Sequence, residues 1–108
     1  MSKPRIWISN ASPKQGEIVR VRALIEHRME SGFRQNADGS AISRNIIHTF
    51  KAHLNDELLF SWFPETAISQ NPYIEFTFIA FASGELLLTW EDDDGEIIQG
   101  STELTLSA

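Results

Sequence analysis

The stretch Glu17-Ile18-Val19-Arg20-Val21-Arg22-Ala23-Leu24-Ile25-Glu26-His27 decides the fold. Val19, Val21, Ala23 and Ile25 fall on one face of an extended chain, while Arg20, Arg22 and Glu26 share the other with Ile18 and Leu24. That two-residue period is the mark of a half-buried β-strand whose first set faces a core. Six more stretches read as strands, each rich in Val, Ile, Phe, Trp and Thr and broken by Gly, Pro, Asn and Asp. Upstream lies Arg5 to Ser9, closed by Asn10-Ala11-Ser12-Pro13 and a turn at Gln15-Gly16. Downstream come Ile46 to Leu54, Leu58 to Phe63 ended by Pro64, and Tyr73 to Ala82 with Ile74, Phe76, Phe78 and Ala80 inward. A sixth follows Ser83-Gly84 with Leu86, Leu88 and Trp90 inward, and the last ends with Leu104 and Leu106 inward. No stretch keeps a helical period for three turns, so the chain is all-β. Seven short strands with regular turn signals fit an immunoglobulin-like β-sandwich better than a barrel, as one domain over residues 1–108.

Turn chemistry sets the expected registers. A three-residue loop at Asn55-Asp56-Glu57 pairs Leu54 with Leu58, Ala52 with Phe60 and Phe50 with Trp62, and is preferred because it gathers the apolar sets. A two-residue loop would set His53 opposite Leu58. Asp93-Asp94-Gly95 suits a type I turn followed by a left-handed glycine, which aligns Trp90 with Ile98. The pattern leaves open whether Ser83-Gly84 closes a hairpin or carries the chain to the opposite sheet.

Between His27 and Ile47 the chain fits no strand, and connections this long inside a compact domain are usually functional or disordered. Met29, Phe33, Ile42 and Ile46 can pack onto a scaffold, and Gly32 and Asp38-Gly39 permit the turns of a compact Ω-type loop. An ordered, polar-tipped loop is expected.

Composition narrows the chemistry. With no cysteine the chain forms no disulfide or thiolate-metal site and cannot carry a substrate as a thioester, persulfide or mixed disulfide. All nine Lys and Arg lie in residues 1–54 beside four acids, whereas residues 55–108 hold eleven acids and no base. Two interleaved halves need not make two poles, but the net charge of −6 argues against nucleic acid. Neither a secretory apolar run nor a membrane-length segment occurs, so the reading is a chain without its own signal peptide and off the membrane.

Reactive constellations are sparse. His27, His48 and His53 are the neutral nitrogen ligands, and Asp92-Asp93-Asp94-Gly95-Glu96 is the one dense acidic run; it lacks the spacing of a calcium loop. His48 and His53 fall on opposite strand faces by parity. There is no nucleophile elbow and no phosphate-cradling glycine loop, so neither catalysis nor a cofactor is expected. Arg28, Arg34 and Arg44 could hold an oxyanion or a partner's carboxylates, or simply pair with Glu30 and Asp38. Trp7, Leu24, Leu59, Phe63, Tyr73, Ile79, Phe81, Leu87 and Ile97 take the faces alternation assigns to solvent; a cluster among them would mark a contact surface, and Ile79, Phe81 and Leu87 lie near one turn.

At the long loop the chain resembles a known family. The likeness is carried by His27-Arg28-Met29-Glu30-Ser31-Gly32-Phe33-Arg34, Asp38-Gly39, Ile42-Ser43-Arg44-Asn45-Ile46-Ile47-His48, Asn71-Pro72-Tyr73-Ile74, Thr89-Trp90 and Asp92-Asp93-Asp94-Gly95. With the opening Lys3-Pro4-Arg5-Ile6 and Gly16-Glu17 it spans essentially the whole chain, and it is similar to SoxZ, the non-carrier subunit of the SoxYZ complex of bacterial sulfur oxidation. Ser43 stands where that family has proline, and Asn55-Asp56 where Asn-Gly is common. The resemblance implies a non-catalytic β-sandwich in a periplasmic heterodimer with SoxY, whose cysteine arm carries thiosulfate-derived sulfur between enzymes that touch the pair transiently. Export would then be with a signal-bearing partner. Expected contact residues are Arg34, Arg44, Asn45 and His48 at the loop, Asn71 and Tyr73 at the second irregular segment, and Ile79, Phe81 and Leu87 among the surplus apolar residues. Asn45 and Asn71 could instead satisfy backbone groups in turns. The rivals are a metal- or oxyanion-binding sandwich using His48 and the loop arginines, and a generic immunoglobulin-like interaction module; pairing with a second copy stays open.

Overall fold

The computed structural model describes residues 4–27, 29–30, 32–63 and 73–107. Among them, seven strands form two antiparallel sheets: β1 (Arg5–Ile8), β2 (Ile18–Leu24), β3 (Ile47–Leu54), β4 (Glu57–Trp62), β5 (Tyr73–Ile79), β6 (Gly84–Asp92) and β7 (Ile97–Leu104). One sheet has the order β1-β2-β5 and the other β4-β3-β6-β7. The expected all-β, immunoglobulin-like sandwich is thus the observed one. Because β5 and β6 lie in different sheets, Ser83-Gly84 is a crossing rather than a hairpin.

The inward sets meet as alternation requires. Val19, Val21, Ala23, Ile74, Phe76 and Phe78 from one sheet are buried against Phe50, Ala52, Leu54, Leu86, Leu88, Trp90 and Ile98 from the other. Aromatic rings bridge the layers: Phe76 of the three-stranded sheet lies 6.1 Å from Phe50, centroid to centroid, and stacks on Phe60 at 5.1 Å. Contacts of this kind add to the burial energy of the rings and fix how the two sheets dock.

Register follows the turns, with one correction. Trp90 pairs with Ile98 as expected, and Gly95 takes the left-handed conformation at φ 83°. At the other hairpin, Asn55 and Asp56 both have positive φ, 51° and 71°, which makes a two-residue turn with Leu54 opposite Glu57. His53 then faces Leu58, and a bulge after Ala52 restores the expected pairs Ala52 with Phe60 and Phe50 with Trp62. The preferred three-residue loop is therefore wrong locally and right two residues further on, since a bulge supplies the residue the turn lacks.

Each sheet's outer face has its own charge. On β1-β2-β5 the outward rows are Arg5, Leu24 and Tyr73; Trp7, Arg22 and Glu75; Arg20 and Thr77; Ile18 and Ile79. Three arginines stand there against one glutamate. The β3, β6 and β7 rows facing outward carry Lys51 against Glu85, Glu91 and Glu103, with Glu85 directly opposite Glu103. The uneven charge of the sequence is thus two poles in space, because β1 and β2 share a sheet that excludes β6 and β7.

Candidate functional site

Beyond the end of β2 the chain leaves the sandwich as a two-legged antiparallel arm and returns at β3. Isolated bridges join Glu30 to Asn45 and Gln35 to Ala41, and Ile42 N donates to Arg34 O at 2.9 Å. At the tip Asn36 N donates to Ser40 O, while the Asp38 carboxylate accepts from the Ser40 backbone N–H at 2.9 Å and from its hydroxyl at 2.6 Å. Those bonds hold the Asp38 carboxyl below its ordinary value, the serine hydroxyl having the largest effect. The loop is ordered and polar-tipped as expected. It is a laddered arm, however, and not an Ω-loop, because its two legs pair with each other instead of folding onto the sandwich.

The arm's root is clamped by the acidic turn between β6 and β7. Asp92 is buried; its Oδ1 accepts the backbone N–H groups of Asp94 and Glu96 at 3.0 and 2.9 Å, and its Oδ2 lies 3.0 Å from His27 Nε2 on the outgoing leg. Met29 N donates to His27 Nδ1 at 3.0 Å, so Nδ1 carries no proton and the proton on Nε2 is the one given to Asp92. His27 and Asp92 therefore form a charge-assisted hydrogen bond from an imidazole N–H to a carboxylate. Burial pushes the Asp92 carboxyl up, but the His27 hydrogen bond and the two backbone donors outweigh it and hold it below its ordinary value.

The returning leg is held by the next residue. Arg44 grips Asp93 with two bonds, Nε to Oδ2 at 2.8 Å and Nη2 to Oδ1 at 3.1 Å. Ile46 N also donates to Asp93 Oδ2, and Asp93 N donates to Ile46 O at 3.0 Å. Burial raises the Asp93 carboxyl; the Arg44 fork, the Ile46 N–H and the positive charges of Arg44 and His48 lower it, with a net fall. Asn45 Oδ1 accepts the Asp94 N–H at 3.3 Å, the backbone-satisfying role weighed for it from sequence. Beneath the clamp Met29 is buried in the left-handed conformation at φ 53°, and its Sδ accepts Ile47 N–H at 3.2 Å. A non-glycine residue there is strained, and the His27 acceptor together with the buried side chain holds it in place.

The expected contact residues separate into three places. Arg34, Arg44, Asn45 and half-buried His48 belong to the arm; Arg34 pairs with Glu30 at 3.0 Å, and His48 Nδ1 lies 2.7 Å from Thr49 Oγ1. Tyr73, Ile79 and Phe81 are exposed, and Tyr73 and Ile79 sit on the outer face of the three-stranded sheet, where Tyr73 donates to Glu75 at 2.9 Å. Leu87 faces outward on the four-stranded sheet beside His53 and Ser101, so it does not cluster with Ile79; the crossing at Ser83-Gly84 puts the two on opposite sides of the sandwich. Asn71 and Arg28 lie outside the described residues. Phe33, expected to pack inward, is 84% exposed on the arm, whereas Met29 and Ile46 are buried as expected.

From sequence His27 and the acidic run at 92–96 were weighed as metal ligands, and Asp93-Asp94-Gly95 also as a hairpin turn; their clamping role was missed. The available signal was local: an aspartate at the head of Asp92-Asp93-Asp94-Gly95-Glu96 is placed to accept its own turn's N–H groups, which leaves a lone pair for one outside donor. Among the described residues no group of three or more His, Asp or Glu converges to hold a metal ion. None of their buried side-chain polar atoms lacks a hydrogen-bond partner.

Fold and arm together define an immunoglobulin-like sandwich that carries a clamped, two-legged projection. Residues 8–103 match the family model described as "Sulphur oxidation protein SoxZ", and the chain belongs to the SoxZ family. Membership gives it a role in the Sox sulfur-oxidation system. Several solved structures share the fold. The superoxide reductase (neelaredoxin) from Ignicoccus hospitalis aligns with TM-score 0.70 and 14% identity over 98% of this chain and 81% of its own. The sulfur carrier protein SoxY from Chlorobium limicola f thiosulfatophilum aligns with TM-score 0.66 and 8% identity over 100% and 82%. No curated protein sequence matches the chain.

Proposed function

We infer that this chain is the non-catalytic companion subunit of a SoxYZ sulfur carrier complex. It pairs with a cysteine-bearing SoxY subunit and helps present the sulfur bound there to thiosulfate-oxidising enzymes, working in the periplasm. The family match over residues 8–103 is the observation that carries this reading. Two others support it. A chain without a thiol cannot itself hold sulfane sulfur or a thiosulfonate, so any covalent cargo resides on another polypeptide. A stiff arm with exposed Phe33 and Arg34 offers a docking point that stays put while a carrier segment moves between enzymes.

Co-purification tests the pairing. Co-expressed with SoxY, the chain is expected to elute as a one-to-one complex that survives dilution to micromolar concentration. A chain that stays apart from SoxY under those conditions defeats the reading. Periplasmic fractionation of the co-expressed pair tests the location.

A further inference from the structure

We propose that the outer face of the three-stranded sheet is a docking surface for a different polypeptide whose contacting surface is acidic and apolar; this rests on the pairing reading above and assigns the SoxY subunit to that face. The composition of the face sets it apart. Trp7, Tyr73, Ile18 and Ile79 are between 44% and 67% exposed, and all lie on the outward face that also carries Arg5, Arg20 and Arg22. Tryptophan, tyrosine and arginine are the residues enriched where interfaces concentrate their binding energy.

The charges are arranged for an acidic visitor. Glu75, the one acid on these rows, is already engaged by Tyr73 and by Arg20 at 3.6 Å. Arg22 Cζ lies 5.9 Å from the centroid of the Trp7 ring, within reach of a cation–π contact. Between them a hollow of about 300 Å³ is lined by Trp7, Ser9, Arg20, Arg22 and Glu75. Room for a side chain between two guanidinium groups and an indole suits a carboxylate on an apolar surround.

Symmetry rules against a second copy. A two-fold dimer through this face would set one copy's arginines against the other's, and like charges juxtaposed across an interface cost several kcal/mol. The acidic outer face of the four-stranded sheet complements the basic one, but joining them stacks chains head to tail with no closure. A separate acidic partner avoids both outcomes.

The test uses the full chain and SoxY, with affinity measured at low and high salt by calorimetry. Wild type is expected to bind more weakly as salt rises. The pair Arg20→Glu with Arg22→Glu, and separately Ile79→Asp, is expected to lower affinity at least tenfold while circular dichroism stays unchanged. Glu85→Lys with Glu103→Lys on the opposite face is expected to change it less than twofold. Face variants that bind like wild type overturn the assigned surface and leave the pairing intact. A wild-type chain that ignores SoxY defeats the pairing itself and this occupant with it. A wild-type chain that is dimeric alone, and monomeric as the arginine variant, replaces SoxY by a second copy and overturns the proposal.

Discussion

Asp92 and Asp93 are sequence neighbours that do different work. Asp92 is buried and joins the outgoing leg through His27; Asp93 holds the returning leg through Arg44 and Ile46. Removing the Asp92 carboxylate strands the His27 Nε2–H and two backbone donors, so Asp92→Ala is expected to destabilise the fold by about 2–4 kcal/mol, read from urea unfolding. Asp93 carries a pH signature, because its Arg44 partner stays charged throughout. A carboxyl depressed in the folded state contributes stability that is complete above the unfolded value, ordinarily 3.8, and is lost as pH falls through the lower folded one. Asp93→Asn is therefore expected to be the less stable protein at neutral pH and to close the gap with wild type below about pH 4. A urea midpoint difference that stays constant from pH 6 to pH 3 would show that the Arg44 grip contributes nothing.

Strands were legible because alternation is a local signal: Val19, Val21 and Ala23, or Ile74, Phe76 and Phe78, declare their buried face without reference to any partner. The β3-β4 turn shows where local reading stops. Asn55-Asp56 can close a hairpin with both residues left-handed, and only the bulge at Ala52 and His53, set by packing across the sheet, reconciles that turn with the apolar register. Aspartate tolerates φ 71° at a cost that glycine avoids. Asp56→Gly is accordingly expected to stabilise the chain by about 0.5–1 kcal/mol, seen as a higher urea midpoint with an unchanged slope. The arm hid its organisation for a similar reason, since its ladder is brief and its anchors come from residues 92–96, far away in sequence. Arg34, Arg44 and Asn45 were expected as contact residues of the loop; Arg34 pairs with Glu30 within the arm, and the clamp that Arg44 and Asn45 enter needed the fold to become visible. Phe33 was assigned to packing because phenylalanine usually is buried, yet it stands at 84% exposure. Phe33→Ala should then shift stability by no more than about 0.5 kcal/mol while slowing sulfur transfer from the loaded complex to its enzymes. Unchanged transfer kinetics would remove Phe33 from the recognition surface.

The molecule's proportions follow from how the arm continues the sandwich. Its extents are 63 × 20 × 19 Å and its radius of gyration is 16.3 Å, against about 13 Å for a compact globule of this length. The longest strand, β6, has nine residues and spans about 30 Å at the extended rise, so the long axis runs well beyond any one strand. So much reach from so few residues needs a rigid root, and that root is the paired aspartates gripping both legs. The core beneath it does not depend on the tip: Met29 and Ile46 are its last buried apolar side chains on that side, only Glu30 is buried beyond Met29 toward the tip among the described residues, and residues 33–41 are all exposed. Joining Glu30 to Arg44 through an Asn-Gly turn keeps both anchors, His27 on Asp92 and Arg44 on Asp93, and removes the projection. That variant is expected to unfold in one cooperative transition and to scatter X-rays as a particle near the compact value of about 13–14 Å. The SoxY-facing sheet is untouched by the change, so affinity for SoxY should stay within about twofold of wild type if sheet and arm are separate surfaces. A variant that folds, has lost the long axis and no longer binds SoxY would make the arm the docking element, and the sheet face would have to give up the role assigned to it.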